Sequence, residues 1–61
     1  MLSTQQKIDR LEALLGTLDI STWERGFILT LVRYKQEKNL AQLSDKQLEI
    51  MQSIFNKHFA A

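Results

Sequence analysis

His58 is the only histidine in the chain, and there is no cysteine. A metal site needs three or four ligands, so neither residue type can furnish one. A carboxylate-only site would have to begin from Asp45 and Glu49, one turn apart, but acidic residues in a first helical turn are accounted for by the helix dipole. Nucleophilic catalysis needs a base beside the nucleophile, and no serine has a histidine at local spacing. Gly16 and Gly26 are isolated, so no glycine-rich loop cradles a phosphate. These residues predict a chain that is not an enzyme and takes no metal or cofactor. His58 is expected at the edge of a core or at the negative end of a helix.

The basic residues suggest more. Arg25, Arg33, Lys35 and Lys38 fall in one stretch against only Glu24 and Glu37, and Lys46 and Lys57 follow. Arg33, Lys35, Lys38 and Lys46 can form one positive patch where a second helix ends and a third begins. Gln42 and Gln47 would add donors there, and a helix N-terminus is itself an anion site. The candidate nucleic-acid contacts are therefore Arg33, Lys35, Lys38, Lys46, Gln47 and Lys57. The plainer alternative is a solvated charged face. Trp23, Phe27, Tyr34, Phe55 and Phe59 could make a base-stacking platform, but all five sit at helical core spacing. Tyr34 and Phe59, near helix ends, are the exceptions expected to show an edge to solvent.

The elements that hold these residues announce themselves by one repeated signal. Ser3-Thr4-Gln5-Gln6, Ser21-Thr22-Trp23-Glu24 and Ser44-Asp45-Lys46-Gln47 each read as a capping box. In such a box the serine oxygen accepts from a backbone N–H three residues on, and the Glu or Gln there reaches back to the serine N–H. Three starts in 61 residues predict an all-α chain, a short three-helix bundle running up-down-up. Helix 1 is expected over 4–15, with Ile8, Leu11, Leu15 and Leu18 inward and Gly16 as a left-handed cap. Helix 2 is expected over 22–38, with Trp23, Phe27, Leu31 and Tyr34 as its stripe. Gly26 inside it would let another helix approach closely, with a kink as the alternative. Helix 3 is expected over 45–59, its start held by Leu43 and Leu48 at staple spacing. Trp23, Phe27, Leu31, Leu48, Met51 and Phe55 form the expected centre of the core.

Composition sets the limits. The 61 residues make a single domain, 1–61, with 44% hydrophobic and 25% charged residues, which argues against disorder. Folding a chain of this size buries only about 60% of the surface that the unfolded chain exposes, too thin a core for a deep catalytic cavity. A formal net charge of +1 fits neither a DNA mimic nor a DNA-coating protein. No apolar run approaches the ~20 residues of a membrane span, and the start lacks a signal-like apolar stretch. With no cysteine, the chain suits a reducing cytoplasm.

Thr22-Trp23-Glu24, Phe27-Ile28, a basic stretch, Leu43-Ser44-Asp45-Lys46-Gln47 and Ile50, Ile54 and Lys57 together resemble a small helical module of short phage reading frames. The module is similar to the accessory protein encoded beside the UvsW helicase of T-even phages. The resemblance spans residues 20–58. It implies a nonenzymatic phage protein associated with replication, recombination or repair, acting near nucleic acid or a helicase in the host cytoplasm. At the matching positions, Trp23, Phe27 and Ser44 do structural work, and Lys46, Gln47 and Lys57 are left to meet a partner. The competing expectation is a protein-binding module, an inhibitor or adaptor acting on a host or defence enzyme. A self-associating bundle is the third, since chains this small gain stability from oligomerisation.

Overall fold

The computed structural model describes residues 2–59 and has three helices and no strand among them. Helix α1 spans Thr4–Ala13, α2 spans Thr22–Gln36 and α3 spans Asp45–Phe59. Short 3₁₀ turns, Leu14–Gly16 and Leu40–Gln42, follow the first two. All three capping boxes form. Ser3, Ser21 and Ser44 each accept from the N–H three residues on at 3.1 Å, and the side chains of Gln6, Glu24 and Gln47 accept from the serine N–H at 2.8–2.9 Å. Each box satisfies one orphan donor of its helix start and the N–H of the cap itself, so the boundaries are sharp.

Contacts between helices set their directions. Lys35, in the last turn of α2, reaches Asp9 and Glu12 of α1, and Gln5 near the start of α1 shares a surface depression with Lys38 just beyond α2. At the opposite end Glu24, in the first turn of α2, meets Lys57 and His58 in the last turn of α3. Neighbouring helices therefore run antiparallel, as short connections require. Ile8 and Leu11 from α1, Ile28, Leu31 and Val32 from α2, and Met51 and Ile54 from α3 are buried together, with Ile20 and Leu43 tucked in from the connections. Four of them, Ile8, Leu11, Ile28 and Leu31, are fully enclosed.

Several expectations need correction. Helix α1 stops at Ala13, and Gly16 has no left-handed φ. The chain tightens into a 3₁₀ turn instead. The Thr17 hydroxyl and N–H both donate to the Leu14 carbonyl, and the Arg25 guanidinium donates to the carbonyls of Leu15 and Thr17. With these acceptors satisfied, no left-handed glycine is needed. Leu18, expected inward, is 97% exposed. Helix α2 ends at Gln36, two residues early, because Lys38 takes the left-handed conformation at φ 58°. Asn39 N–H then bonds the Tyr34 carbonyl at 2.8 Å and Lys38 N–H the Lys35 carbonyl at 3.1 Å, the two bonds of a Schellman motif.

The core is also rotated relative to the expected stripe. Its centre on α2 is Glu24, Ile28, Leu31 and Val32, not the aromatic row beside it. Leu31 and Met51 are buried as expected, Phe27, Leu48 and Phe55 are only partly covered, and Trp23 is 61% exposed. At about 100° per residue, Leu31, Glu24, Ile28 and Val32 share one arc about 100° wide, and Trp23 falls roughly 80° outside it. Gly26 does not admit a neighbouring helix of this chain: a Cβ there would meet nothing within 4 Å.

Candidate binding surface

The most enclosed polar group is Glu24. Its residue is 5% exposed, and every carboxylate oxygen has a donor. Oε1 accepts from the Ser21 N–H at 2.9 Å, and Oε2 accepts from Lys57 Nζ and His58 Nε2, both at 3.3 Å. The carboxyl is held down to about 2, first by the Ser21 N–H and then by Lys57 and His58, against the opposing effect of burial. An ionised carboxylate beside an imidazole resembles part of a catalytic set. Here it is fully occupied in joining the start of α2 to the end of α3, and the described surface depression lies at the other end of the bundle. Among the described residues no cluster of three or more His, Cys, Asp or Glu could hold a metal ion.

The six proposed nucleic-acid contacts separate into two groups. Lys35 is turned inward, its side chain 19% exposed, and pairs with Asp9 at 2.6 Å and Glu12 at 2.9 Å. Those two hydrogen bonds, Asp9 first, raise its pKa despite burial. Gln47 spends its amide oxygen on the Ser44 N–H. Lys57 pairs with Glu24 at the far end of α3 from Lys46; eleven residues of helix at about 1.5 Å each separate the two by roughly 16 Å. Arg33, Lys38 and Lys46 are exposed and have no ion pair among the described residues. The positive patch thus comprises three cations flanking the connection between α2 and α3. Lys38 also lines an open depression of about 420 Å³ with Gln5, Lys35, Leu40 and Ala41.

Two features escaped the sequence reading. Lys35 lies at the fourth place of the series Glu24, Ile28, Leu31, Lys35, whose helical spacing puts it on the buried side; that signal was present. The joining role of Glu24 carried no signal, because its partners lie 33 and 34 residues away.

Two of the four large apolar side chains exposed among the described residues, Trp23 and Leu29, lie on α2, the others being Leu18 and Phe59. Trp23 stacks on Phe27 with ring centroids 5.7 Å apart and planes within 6°, and Leu29 is 52% exposed on another side of the helix. Phe55 and Phe59 form a second, tilted pair at 4.9 Å. Lys7 lies 5.8 Å from the Phe55 centroid and donates to Gln52, so the Phe55 ring belongs to the α1–α3 seam. Phe59 is 40% exposed, as expected of a residue near a helix end, whereas Tyr34 is half-buried. The Trp23–Phe27 pair has no such charged cover. Spaced three and four residues apart along the same side lie Gly26, Thr30, Arg33 and Tyr34. No family model matches the chain, nor does any curated protein or solved structure. No helix among the described residues is long and apolar enough to cross a membrane.

Proposed function

We propose that this chain is a non-enzymatic protein-binding module, an adaptor or inhibitor that engages its partner through the outer face of α2. The observation that carries this reading is Trp23, 61% exposed yet held coplanar with Phe27. A large indole exposed on a monomer surface costs solvation, and tryptophan is the residue most enriched at the energetic centres of protein interfaces. Stacking on Phe27 restricts the ring before a partner arrives, which lowers the ordering cost of binding. A module of this kind would act on a host or defence enzyme. The test is capture of a partner from the cells that produce the chain, with Trp23→Ala as the control. Trp23 contributes little to the core, so the variant should fold with unchanged circular dichroism and lose the partner. Equal capture by both proteins would defeat the reading.

A second reading has its own observation. Arg33, Lys38 and Lys46 are unpaired cations around one connection, and a weak, sequence-independent nucleic-acid contact would use them. It would suit an accessory factor in replication, recombination or repair. Single-stranded and duplex DNA titrated at low and moderate salt decide between the two. Binding that falls steeply with salt and disappears in the Lys38→Glu, Lys46→Glu double variant would favour the nucleic-acid reading. Absence of binding at tens of micromolar, roughly the non-specific range, would leave the protein-binding reading.

A further inference from the structure

Gly26 has no explanation inside the chain. Glycine is the least favourable helix residue after proline, yet Gly26 sits in the second turn of α2 with nothing within 4 Å of where a Cβ would be. Thr30 is one turn on, and its hydroxyl donates back to the Gly26 carbonyl at 3.1 Å, so that polar group is satisfied within the helix. Together they leave a low saddle on the outer face. Trp23 and Phe27 rise at one end of it and Arg33 and Tyr34 stand at the other. From Trp23 to Tyr34 this face carries one charged side chain, Arg33, which has no acidic partner among the described residues.

We propose that the occupant of this face is a second copy of the same chain, its α2 packed antiparallel across a two-fold axis at the level of Ile28. The proposal rests on the reading of this face as a protein-binding surface. The argument is one of register. A two-fold interface must be self-complementary, each residue facing the residue related to it by the axis. Gly26 and Thr30 are equidistant from residue 28, and so are Trp23 and Arg33. One axis therefore sets Gly26 of each copy against Thr30 of the other, where small residues let two helix axes come close. The same axis sets Arg33 of each copy at the exposed indole of the other. A guanidinium over an indole face is a favourable cation–π contact. It would satisfy the lone cation and cover the large ring in the same step. An unrelated partner would need to supply both groups, whereas this chain already carries them at matched positions. Two copies with a net charge of +1 each do not repel strongly.

The contact is small, so association should be weak. Sedimentation velocity is measured from about 10 µM to about 1 mM, the range in which so limited an interface associates, with emission of Trp23, the chain's single tryptophan, followed in parallel. The wild type should pass from monomer to dimer, its emission moving to the blue as the ring is covered. Gly26→Leu should remain folded, since the new side chain has open space in the monomer, and should stay monomeric. Arg33→Gln should weaken the dimer about tenfold, the loss of two symmetric exposed contacts. A monomeric wild type throughout the range, or a Gly26→Leu variant that dimerises like wild type, would overturn the proposal. A monomeric wild type whose Trp23→Ala variant still loses partner capture overturns self-association alone. Failure of the docking reading would show instead as capture that ignores Trp23.

Discussion

The two ends of α2 are built on opposite principles. At its start, charge is turned inward. Glu24 is buried and held by three donors, and Arg25 caps the carbonyls of Leu15 and Thr17. At its end, only Lys35 is turned inward, to Asp9 and Glu12, and the remaining cations face outward. Arg33, Lys38 and Lys46 have no ion pair among the described residues, and the chain reverses through a left-handed lysine. The difference shows that charged residues have two roles in a domain with so thin a core. At one end they are structural, joining helices that apolar contact alone holds weakly. At the other, Lys35 alone does this and Arg33, Lys38 and Lys46 are surface. A net charge near zero conceals this, because the pairing, not the count, decides which cations a partner can reach.

Breaking the inward end should have the largest effect. Glu24→Ala removes the hydrogen bond back to Ser21 and strips Lys57 and His58 of their shared acceptor. Lys57 is largely exposed and returns to water, so the loss is that of the hydrogen bonds to a buried carboxylate, roughly 3 kcal/mol, still a large share of the stability of a domain this size. Chemical denaturation should show the variant close to unfolded, and a midpoint near wild type would mean that Glu24 is incidental. Acid tests the same cluster without mutation. The Glu24 carboxyl lies at about 2 when folded, against 4.5 for a free side chain. A depressed carboxylate contributes stability that is complete above its unfolded value and is lost as pH falls through the folded one. That linkage amounts to about 3 kcal/mol. Thermal melts should therefore be level above about pH 5 and fall towards pH 2, and Glu24→Gln should flatten that acid limb.

How much of this was legible in the sequence follows from the range of each interaction. The capping boxes are local, spanning three residues, and all three helix starts were read correctly. Helix ends were read less well, because Thr17, Arg25 and the reversal at Lys38 replaced the glycine chemistry that local rules favour. The aromatic stripe misled for a different reason. Trp23 and Phe27 have helical spacing, but so do Glu24, Ile28 and Leu31, and periodicity does not say which of two adjacent stripes faces inward. Glu24 closes a capping box, and nothing local marks it as buried. Lys57 and His58, brought up by the fold, join the Ser21 N–H in compensating its burial. For the candidate surface, net charge and spacing counted Lys35 as available when Asp9 and Glu12 had already neutralised it.

The two capping boxes on either side of this contrast allow a finer test. Ser21→Ala leaves the Glu24 N–H without its acceptor in a part-buried place, whereas Ser44→Ala leaves the Gln47 N–H where water can replace the serine. An unmet donor costs more where water is excluded. Ser21→Ala should cost about 2 kcal/mol and Ser44→Ala about 1 kcal/mol, the upper and middle parts of the range for lost caps. Equal losses would show that the two helix starts are solvated alike and would remove the contrast at the level of the backbone.

A smaller effect is expected at Lys38, and its sign is opposite. A residue with a Cβ in the left-handed region carries a cost of about 1–2 kcal/mol, and Lys38 accepts it at φ 58° to complete the two bonds that close α2. Glycine removes that cost but gives the unfolded chain more freedom, which returns about 0.5–1 kcal/mol. The balance is a gain of roughly 0.5–1 kcal/mol for Lys38→Gly, equivalent to a few degrees in Tm for a domain of this length. Lys46→Gln, which removes a charge at the same end without touching the backbone, should stay within about 0.5 kcal/mol of wild type. If Lys38→Gly is instead destabilising, the lysine side chain is held by something, and the outward end is not merely surface. A partner site around the depression lined by Gln5, Leu40 and Ala41 would then merit the titrations first.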